Sequence, residues 1–331
     1  MMKSNPIAVL ISDVHYSLNT LTVADTAFRA AIDKAEKLGV PLIDCGDLTN
    51  DKAILRAEVV NAMIKTFQYA RMKCVKVYCL VGNHSLINEK GKDHALNFLE
   101  NYATIIDKPS TIDGFNFIPY QTNPEDFYVS LENIPYKEII IGHQGTMGGY
   151  MGDYVKDHSA IDPNRVSNYK VFLGHYHRHG QNGTTISIGN PYTLTFGEAE
   201  DGHKGYLVLM SDGKFKKYGL DLRRHIKVTL NYDDLEGKHN GTIRNEDFLW
   251  VQVKGTRAQL SKLKRDTVEN YFQASSFKLD KVCIDESVDN SQIKYNNPND
   301  LFDQIIDLTN ESLESKLKLK QLWRDLLNET S

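Results

Sequence analysis

Long apolar runs are missing from this sequence. No stretch could cross a bilayer as a helix. The opening Met1-Met2-Lys3-Ser4-Asn5-Pro6 carries no apolar targeting core. Cysteine is scarce: Cys45, Cys74, Cys79 and Cys283 are scattered and lack the paired spacing of a zinc site. They read as reduced thiols of a cytoplasmic protein. An excess of one charge is missing too. The formal net charge is −4 and the pI about 6.3, so nothing pulls the whole molecule toward nucleic acid. Any DNA contact must come from local patches. There is no internal repeat and no low-complexity segment. At 41% hydrophobic and 25% charged, the 331 residues read as one large globular domain with an addition, or as two domains.

What is present is a recurring pattern. Leu173-Gly174-His175-Tyr176-His177 follows the apolar run 169–173. In an extended backbone, residues two apart point the same way, so His175 and His177 share the tip of a strand. Asp13-Val14-His15 follows the apolar run 7–12, and Gly46-Asp47 follows 40–45. Gly82-Asn83-His84 follows 75–81, and Gly142-His143 follows 138–141. Each group is an apolar, β-branched run, usually a glycine, then a metal-ligand type. Between the early runs lie helical patterns over Thr20–Leu38, with Gly39 as its stop, and over about Lys52–Arg71. A further helix is expected over Asp93–Tyr102. Strands alternating with helices imply a largely parallel sheet, and ligands collect at the carboxyl ends of such strands. Short runs broken by Pro109, Pro119, Pro124 and Pro135 follow. The runs at 169–173, 184–188 and 205–210 suggest a second sheet packed on the first. The glycine-rich Gly145–Gly152 lacks a Gly-Lys-Ser/Thr ending and reads as a mobile loop at the site mouth.

Composition shifts near Leu222-Arg223-Arg224-His225. Strands at 226–230, 248–253 and 279–284 and a helix over Arg257–Phe272 suggest a small α+β unit. Basic residues gather there and just before it: Lys214, Lys216, Lys217, Arg223, Arg224, Lys227, Lys254, Arg257, Lys262, Lys264 and Arg265. They make either solvated strand edges or a surface for a DNA backbone. After a polar stretch at 286–297, Asn297-Pro298-Asn299-Asp300 reads as a helix start, and a second helix covers about Glu311–Leu327.

Asp13, His15, Asp47, Asn83, His143, His175 and His177 mix carboxylate, amide oxygen and imidazole, which suits manganese, iron or zinc. Seven ligands exceed what one tetrahedral zinc needs, and they fit two ions. Asp47 is the natural bridge, since Gly46 lets the backbone approach closely. Two metals about 3.5–4 Å apart can hold a hydroxide between them and neutralise a phosphoester in displacement. His84 sits beside a ligand and would hydrogen-bond the phosphate or help the leaving oxygen. The bland reading of any single pair is a turn or a helix cap; five groups in series are a different matter. His94, His158, His179, His203, His225 and His239 have no such setting and read as surface histidines, with His179 nearest the site.

Together these motifs resemble the calcineurin-like metallophosphoesterase family. The segment Gly189–Glu198 and then Lys204-Gly205-Tyr206 is similar to the SbcD and meiotic-recombination-eleven type of nuclease subunit, including the bacteriophage recombination endonuclease subunits. The resemblance implies an α/β (α+β by some schemes) two-sheet sandwich flanked by helices. It implies a nuclease domain over 1–224, a small α+β DNA-capping domain over 225–288, and a linker with C-terminal helices over 289–331. It implies one manganese held by Asp13, His15, Asp47 and His177, and a second held by Asp47, Asn83, His143 and His175. His84 would assist phosphodiester cleavage. The partners implied are DNA, an SMC-like ATPase of the SbcC type bound by the C-terminal helices, and a second copy, for which the helices at 52–71 and 93–102 either supply the face or simply pack in the core. One departure stands out: where the family has an acid after Gly-Asn-His, this chain has Ser85. The acid orients the histidine, so its loss bears on the rate and on the exonuclease-to-endonuclease balance, since such losses can cost about 10–100-fold. The rival readings are a small-substrate phosphomonoesterase or cyclic-nucleotide phosphodiesterase, and a non-catalytic scaffold that binds DNA ends. The basic unit and terminal helices argue against the first, and the full ligand set against the second.

Overall fold

The computed structural model describes residues 4–284, apart from 53, 89–92, 149–156, 238, 240, 242 and 275–276, and then 302–303, 306–307 and 312–329. Its chain divides into two units. The first takes Met1–Lys227 with Thr242–Trp250; the second takes Val228–Gly241 with Val251–Ser331.

The first unit begins β1 (Pro6–Ile11), α1 (Leu21–Leu38), β2 (Leu42–Asp44), α2 (Ala57–Met72), β3 (Val77–Leu80) and β4 (Thr104–Ile106). It continues with β5 (Ser110–Ile112), β6 (Phe115–Ile118), α3 (Pro124–Leu131), β7 (Ile139–His143) and β8 (Lys170–Gly174). It closes with β9 (Gly180–Asn182), β10 (Thr185–Ser187), β11 (Gly205–Met210) and β12 (Phe215–Gly219). Two six-stranded sheets result, in the orders β12-β11-β1-β2-β3-β4 and β5-β6-β7-β8-β10-β9. In each, four consecutive strands are parallel and the pairings beyond them are antiparallel.

Alternation along the strands builds the layers. Ala8, Leu10, Ile43, Tyr78 and Leu80 turn one way and meet Phe117, Ile141, Phe172 and Ile186 of the second sheet. Val9, Ile11, Leu42, Val77 and Cys79 turn the other way, onto α1 and α2. On the outer face of the second sheet, Ile118, Ile140, Val171 and Leu173 pack under Phe127 and Leu131 of α3. The layers are therefore helices, sheet, sheet, helix. Both faces of the central strands are covered, which is why they read as unbroken apolar runs. Each fully buried side chain of this kind contributes about 1.5–3 kcal/mol by leaving water. The expected two-sheet sandwich flanked by helices is what the chain forms.

Several expected elements differ. The run 205–210 lies in the first sheet, not the second: β11 pairs antiparallel with β1. The helix expected over Asp93–Tyr102 is reduced to a single 3-10 turn, Asn97–Leu99, because His94 pairs back with Leu86 in an isolated bridge. α2 starts at Ala57 rather than near Lys52, since Arg56 is still extended. Pro124 does not break structure; it starts α3, with Asn123 accepting from the Glu125 amide at the N-cap. His94 and His225 are buried rather than on the surface.

Further along the chain, β13 (His225–Asn231), β14 (Phe248–Gly255) and β15 (Phe277–Cys283) form a three-stranded sheet in that order. The single helix expected over Arg257–Phe272 is two, α4 (Arg257–Lys262) and α5 (Arg265–Phe272). Leu263 and Lys264 are extended between them. The carbonyls of Leu260 and Leu263 accept from Lys281 Nζ at 2.8 and 2.9 Å instead of continuing a helix. The final helix, α6, spans Leu313–Glu329. Residues 302–303 and 306–307 are helical, and the start expected at Asn297-Pro298 lies outside the described residues. Among the described residues no helix is long and apolar enough to cross a membrane.

Candidate metal centre

All the residues singled out by the sequence follow the carboxyl ends of parallel strands. The register sets those ends level: Ile11 pairs with Asp44, Asp44 with Cys79, and Gly142 with Leu173. Beyond β1 and β2 the backbones stay together, with the amides of Asp13 and His15 donating to the carbonyls of Gly46 and Asp47, both at 3.0 Å. Asp13 and His15 leave β1, Asp47 leaves β2, and Asn83 and His84 leave β3. His143 ends β7, and His175 and His177 leave β8. Gly46 has φ +105, and a Cβ there would run into the His143 ring, so only glycine allows the two sheets to close at this point.

Two clusters form. Asp13, His15 and His177 bring ligand atoms within 4.8 Å of one another, and so do Asp47, His143 and His175. Asn83 joins the second: its Oδ1 lies 3.1 Å from His143 Nε2 and 2.9 Å from His175 Nδ1. In the first, His15 Nε2 and His177 Nε2 face each other at 3.0 Å. Asp47 Oδ2 lies 3.3 Å from His143 Nε2, while its Oδ1 accepts the His84 amide at 2.8 Å. All but Asn83 and His177 of these seven are buried. His84 stands beside them, its ring 4.9 Å from that of His15.

The hydrogen bonds on the far sides of the rings assign the tautomers. His143 Nδ1 meets the Cys45 carbonyl at 2.7 Å, and His177 Nδ1 meets Glu198 Oε1 at 2.9 Å. His175 Nε2 meets Asp157 Oδ2 at 3.2 Å, and His84 Nδ1 meets the Asn50 carbonyl at 2.7 Å. Carbonyls and carboxylates only accept, so each of these nitrogens carries the proton. In a neutral ring the inner nitrogen of His143, His175 and His177 then presents a lone pair toward other acceptors. Acceptors facing acceptors repel unless a positive charge lies among them. A divalent cation meets that need, and a donor set of carboxylate, amide oxygen and imidazole suits a borderline ion.

The charges agree. Burial works against a protonated His143, but the Asp47 carboxylate outweighs it and raises its pKa to about 9. Burial would raise the pKa of Asp47, yet His143 and His15 hold it below the carboxylate range. Burial lowers His15 to about 4 despite Asp47. Backbone strain is concentrated here as well. Among the described residues, Asp13 (φ 53), His15 (φ 51), Asp47 (φ 53) and His175 (φ 101) all have positive φ. This region is sparsely used outside glycine and costs of order 1–3 kcal/mol per residue. Four of the seven candidate ligands carry such strain, which packing and the ladder beyond β1 and β2 must offset.

Sequence reasoning assigned no role to three supporting residues. Glu198, behind His177, also accepts from Asn190 Nδ2 at 2.9 Å, the Leu194 amide at 3.0 Å and Lys204 Nζ at 3.1 Å. Despite burial, His177 and Lys204 hold its pKa to about 2. Asp157 stands behind His175. Asp44, on β2, is wholly buried with both carboxylate oxygens unpartnered. Burial first, and Asp13 second, push its pKa well up. Ser85 is buried and its hydroxyl bonds nothing, while the Asn50 carbonyl takes up the orienting of His84. His179 bonds the Ile188 carbonyl and packs on His203 and Phe215.

The chain is similar to Exonuclease subunit 1 of Enterobacteria phage T4, 26% identical over 185 residues. The match covers 52% of this chain and 54% of the relative, so the chain spans about half the length of the relative it matches. The nuclease MPE of Pseudomonas putida overlaps 52% of this chain and 61% of its own, at 16% identity and a TM-score of 0.29. No family model matches the chain.

Proposed function

We propose that this chain is a manganese-dependent nuclease subunit that hydrolyses DNA phosphodiesters at or near DNA ends. The observation that carries the reading is the inward-facing lone-pair array of seven residues at one edge of a two-sheet sandwich, with His84 beside it. Asp13, His15, Asp47 and His177 would hold one ion, and Asp47, Asn83, His143 and His175 the other. Bound there, two ions would supply an activated water and would neutralise charge on the phosphate. The protein's own part is to hold those ligands in one tautomer and to present His84. With Nδ1 committed to the Asn50 carbonyl, His84 keeps Nε2 for the substrate, where its protonated form donates to a phosphate or leaving oxygen. The orienting acceptor is already in place without an acid at Ser85.

The likeness to a phage protein named as an exonuclease subunit favours DNA over a small phosphoester and favours work alongside other chains. Residues 225–288 would be the DNA-capping domain, and the linker and helices of 289–331 the dock for an SMC-like ATPase of the SbcC type. Lys254, Lys262 and Lys264 are exposed and would face a DNA backbone, whereas Arg224 is engaged with Asp247 at 2.6 Å and Arg265 with the Phe277 carbonyl at 2.9 Å. On α6, Leu319 and Leu322, 40% and 57% exposed and three residues apart, share an apolar face suited to a partner, while Leu317, 61% exposed, lies on another side. α2 is the helix left to meet a second copy.

End-labelled duplex DNA with Mn2+, with and without an SbcC-type ATPase from the same genome, tests the reading. Cleavage is expected, and His84→Gln is expected to abolish it while DNA and metal stay bound. Hydrolysis of small phosphoesters alone would replace this reading with a phosphomonoesterase or cyclic-nucleotide phosphodiesterase. DNA-end binding without any hydrolysis would replace it with a scaffold.

A further inference from the structure

Each histidine of Gly174-His175-Tyr176-His177 is backed by a carboxylate, and the two carboxylates are not equivalent. Glu198, behind His177, is neutralised by Lys204, whose Nζ also lies 2.8 Å from Asp201 Oδ2. Asp157, behind His175, has neutral companions among the described residues: the Ser159 amide at 2.9 Å and Oγ at 2.6 Å on Oδ1, and the Tyr176 hydroxyl at 3.3 Å from Oδ2. Its side chain is 8% exposed. A carboxylate in that setting keeps its full charge for the imidazole it touches.

The surroundings hold Asp157 in place. Gly145 lies so close that a Cβ there would collide with Asp157 Oδ2 and the Tyr176 hydroxyl. Thr146 and Ile161 form an isolated bridge, with Met147 N donating to Ile161 O at 2.8 Å and Ile161 N to Gly145 O at 2.9 Å. The Tyr176 hydroxyl, with its single proton, sits between the Thr146 carbonyl at 3.0 Å and Asp157 Oδ2 at 3.3 Å. The carboxylate is therefore fixed from three sides, and its free direction is toward His175.

We propose that Asp157 is a positioning residue that locks His175 with Nε2–H toward its carboxylate and the Nδ1 lone pair toward Asn83, and that it makes the Asp47–Asn83–His143–His175 subsite the stronger of the two. The second half rests on the metal reading above; the first does not. A histidine hydrogen-bonded to an uncompensated carboxylate is the more basic ligand, and losing such a partner costs about 10–100-fold in metal affinity. Glu198 gives His177 less, because Lys204 shares its charge.

Two measurements on the full chain separate these claims. Nitrogen NMR of the metal-free protein, at mildly alkaline pH, reads the tautomer of His175. The Nε2–H form is expected in the wild type, with a mixture in Asp157→Leu, while thermal melting checks that the variant is folded. An Nδ1–H form in the wild type, or an unchanged tautomer in the variant, would overturn the positioning role. Calorimetric titration with MnCl2 should then give two unequal binding events in the wild type. Asp157→Asn should weaken the tighter one by about 10–100-fold and leave the other in place, and Glu198→Gln should act on the weaker. Equal loss of both events, or no change, would overturn the asymmetry. Absence of any Mn2+ binding by the wild type would instead overturn the metal reading and leave the tautomer result standing.

Discussion

At the scale of single residues the centre is a problem of surplus acceptors. His143 and Asp47 illustrate how the metal-free protein solves it. Burial alone would discharge the imidazole, but the adjacent carboxylate keeps it protonated to about pH 9. An ion that enters must displace that proton. The sign follows directly: below about pH 9 the proton competes with the metal, so affinity rises with pH, by about tenfold per unit for one proton. Calorimetric Mn2+ titrations in buffers of different ionisation heat should count about one proton released from this pair at pH 7. Uptake without proton release would contradict the pairing. The seven candidate ligands were legible in the sequence because each motif is local: an apolar strand and a ligand within four residues of its end. Asp157 and Glu198 were not. They reach His175 and His177 from 18 and 21 residues away, through loops whose return path no local pattern encodes. The positive φ of Asp13, His15, Asp47 and His175 was hidden for the same reason, since none is a glycine.

At the scale of elements, β2 carries the clearest conflict. It is a central strand with Leu42 turned to the helices, and alternation turns Asp44 the same way, into the packed layer under α1 and α2. Neither oxygen makes a well-formed hydrogen bond among the described residues, the Gly46 amide opposes the shift only weakly, and burial raises the pKa. Unfolding lets it ionise. The stability this raised pKa contributes is full below the ordinary carboxylate range and is lost as pH rises above about 4. Asp44→Val should therefore melt higher than the wild type at pH 7, by about 1–3 kcal/mol, with the gap closing toward pH 4. A variant less stable at both pH values would mean that Asp44 has an unseen partner. α3 makes the opposite point about legibility. Asn123-Pro124-Glu125-Asp126 has the same cap and proline as Asn297-Pro298-Asn299-Asp300, and two acids to its one, yet prolines on either side made the region read as broken. The 3-10 turn at Asn97–Leu99 shows the reverse, a helical pattern overruled by the pairing of Leu86 with His94.

At the scale of the whole molecule, the first unit works as a frame that brings together the ends of the parallel strands of two sheets. Strand order decides this, and strand order was only partly legible: β11 is as apolar as its neighbours in sequence, but it joins β1 across nearly two hundred residues. Burying the inner faces of both sheets stabilises a closure that sets Asp47 of one against His143 and His175 of the other. The account's central claim is that this closure makes a place for two cations. A crystal grown with MnCl2 and measured at the manganese absorption edge tests it most directly. The account predicts two anomalous peaks that share Asp47, one against Asp13, His15 and His177, the other against Asn83, His143 and His175. A single peak, or peaks that leave Asp47 uncoordinated, would contradict it.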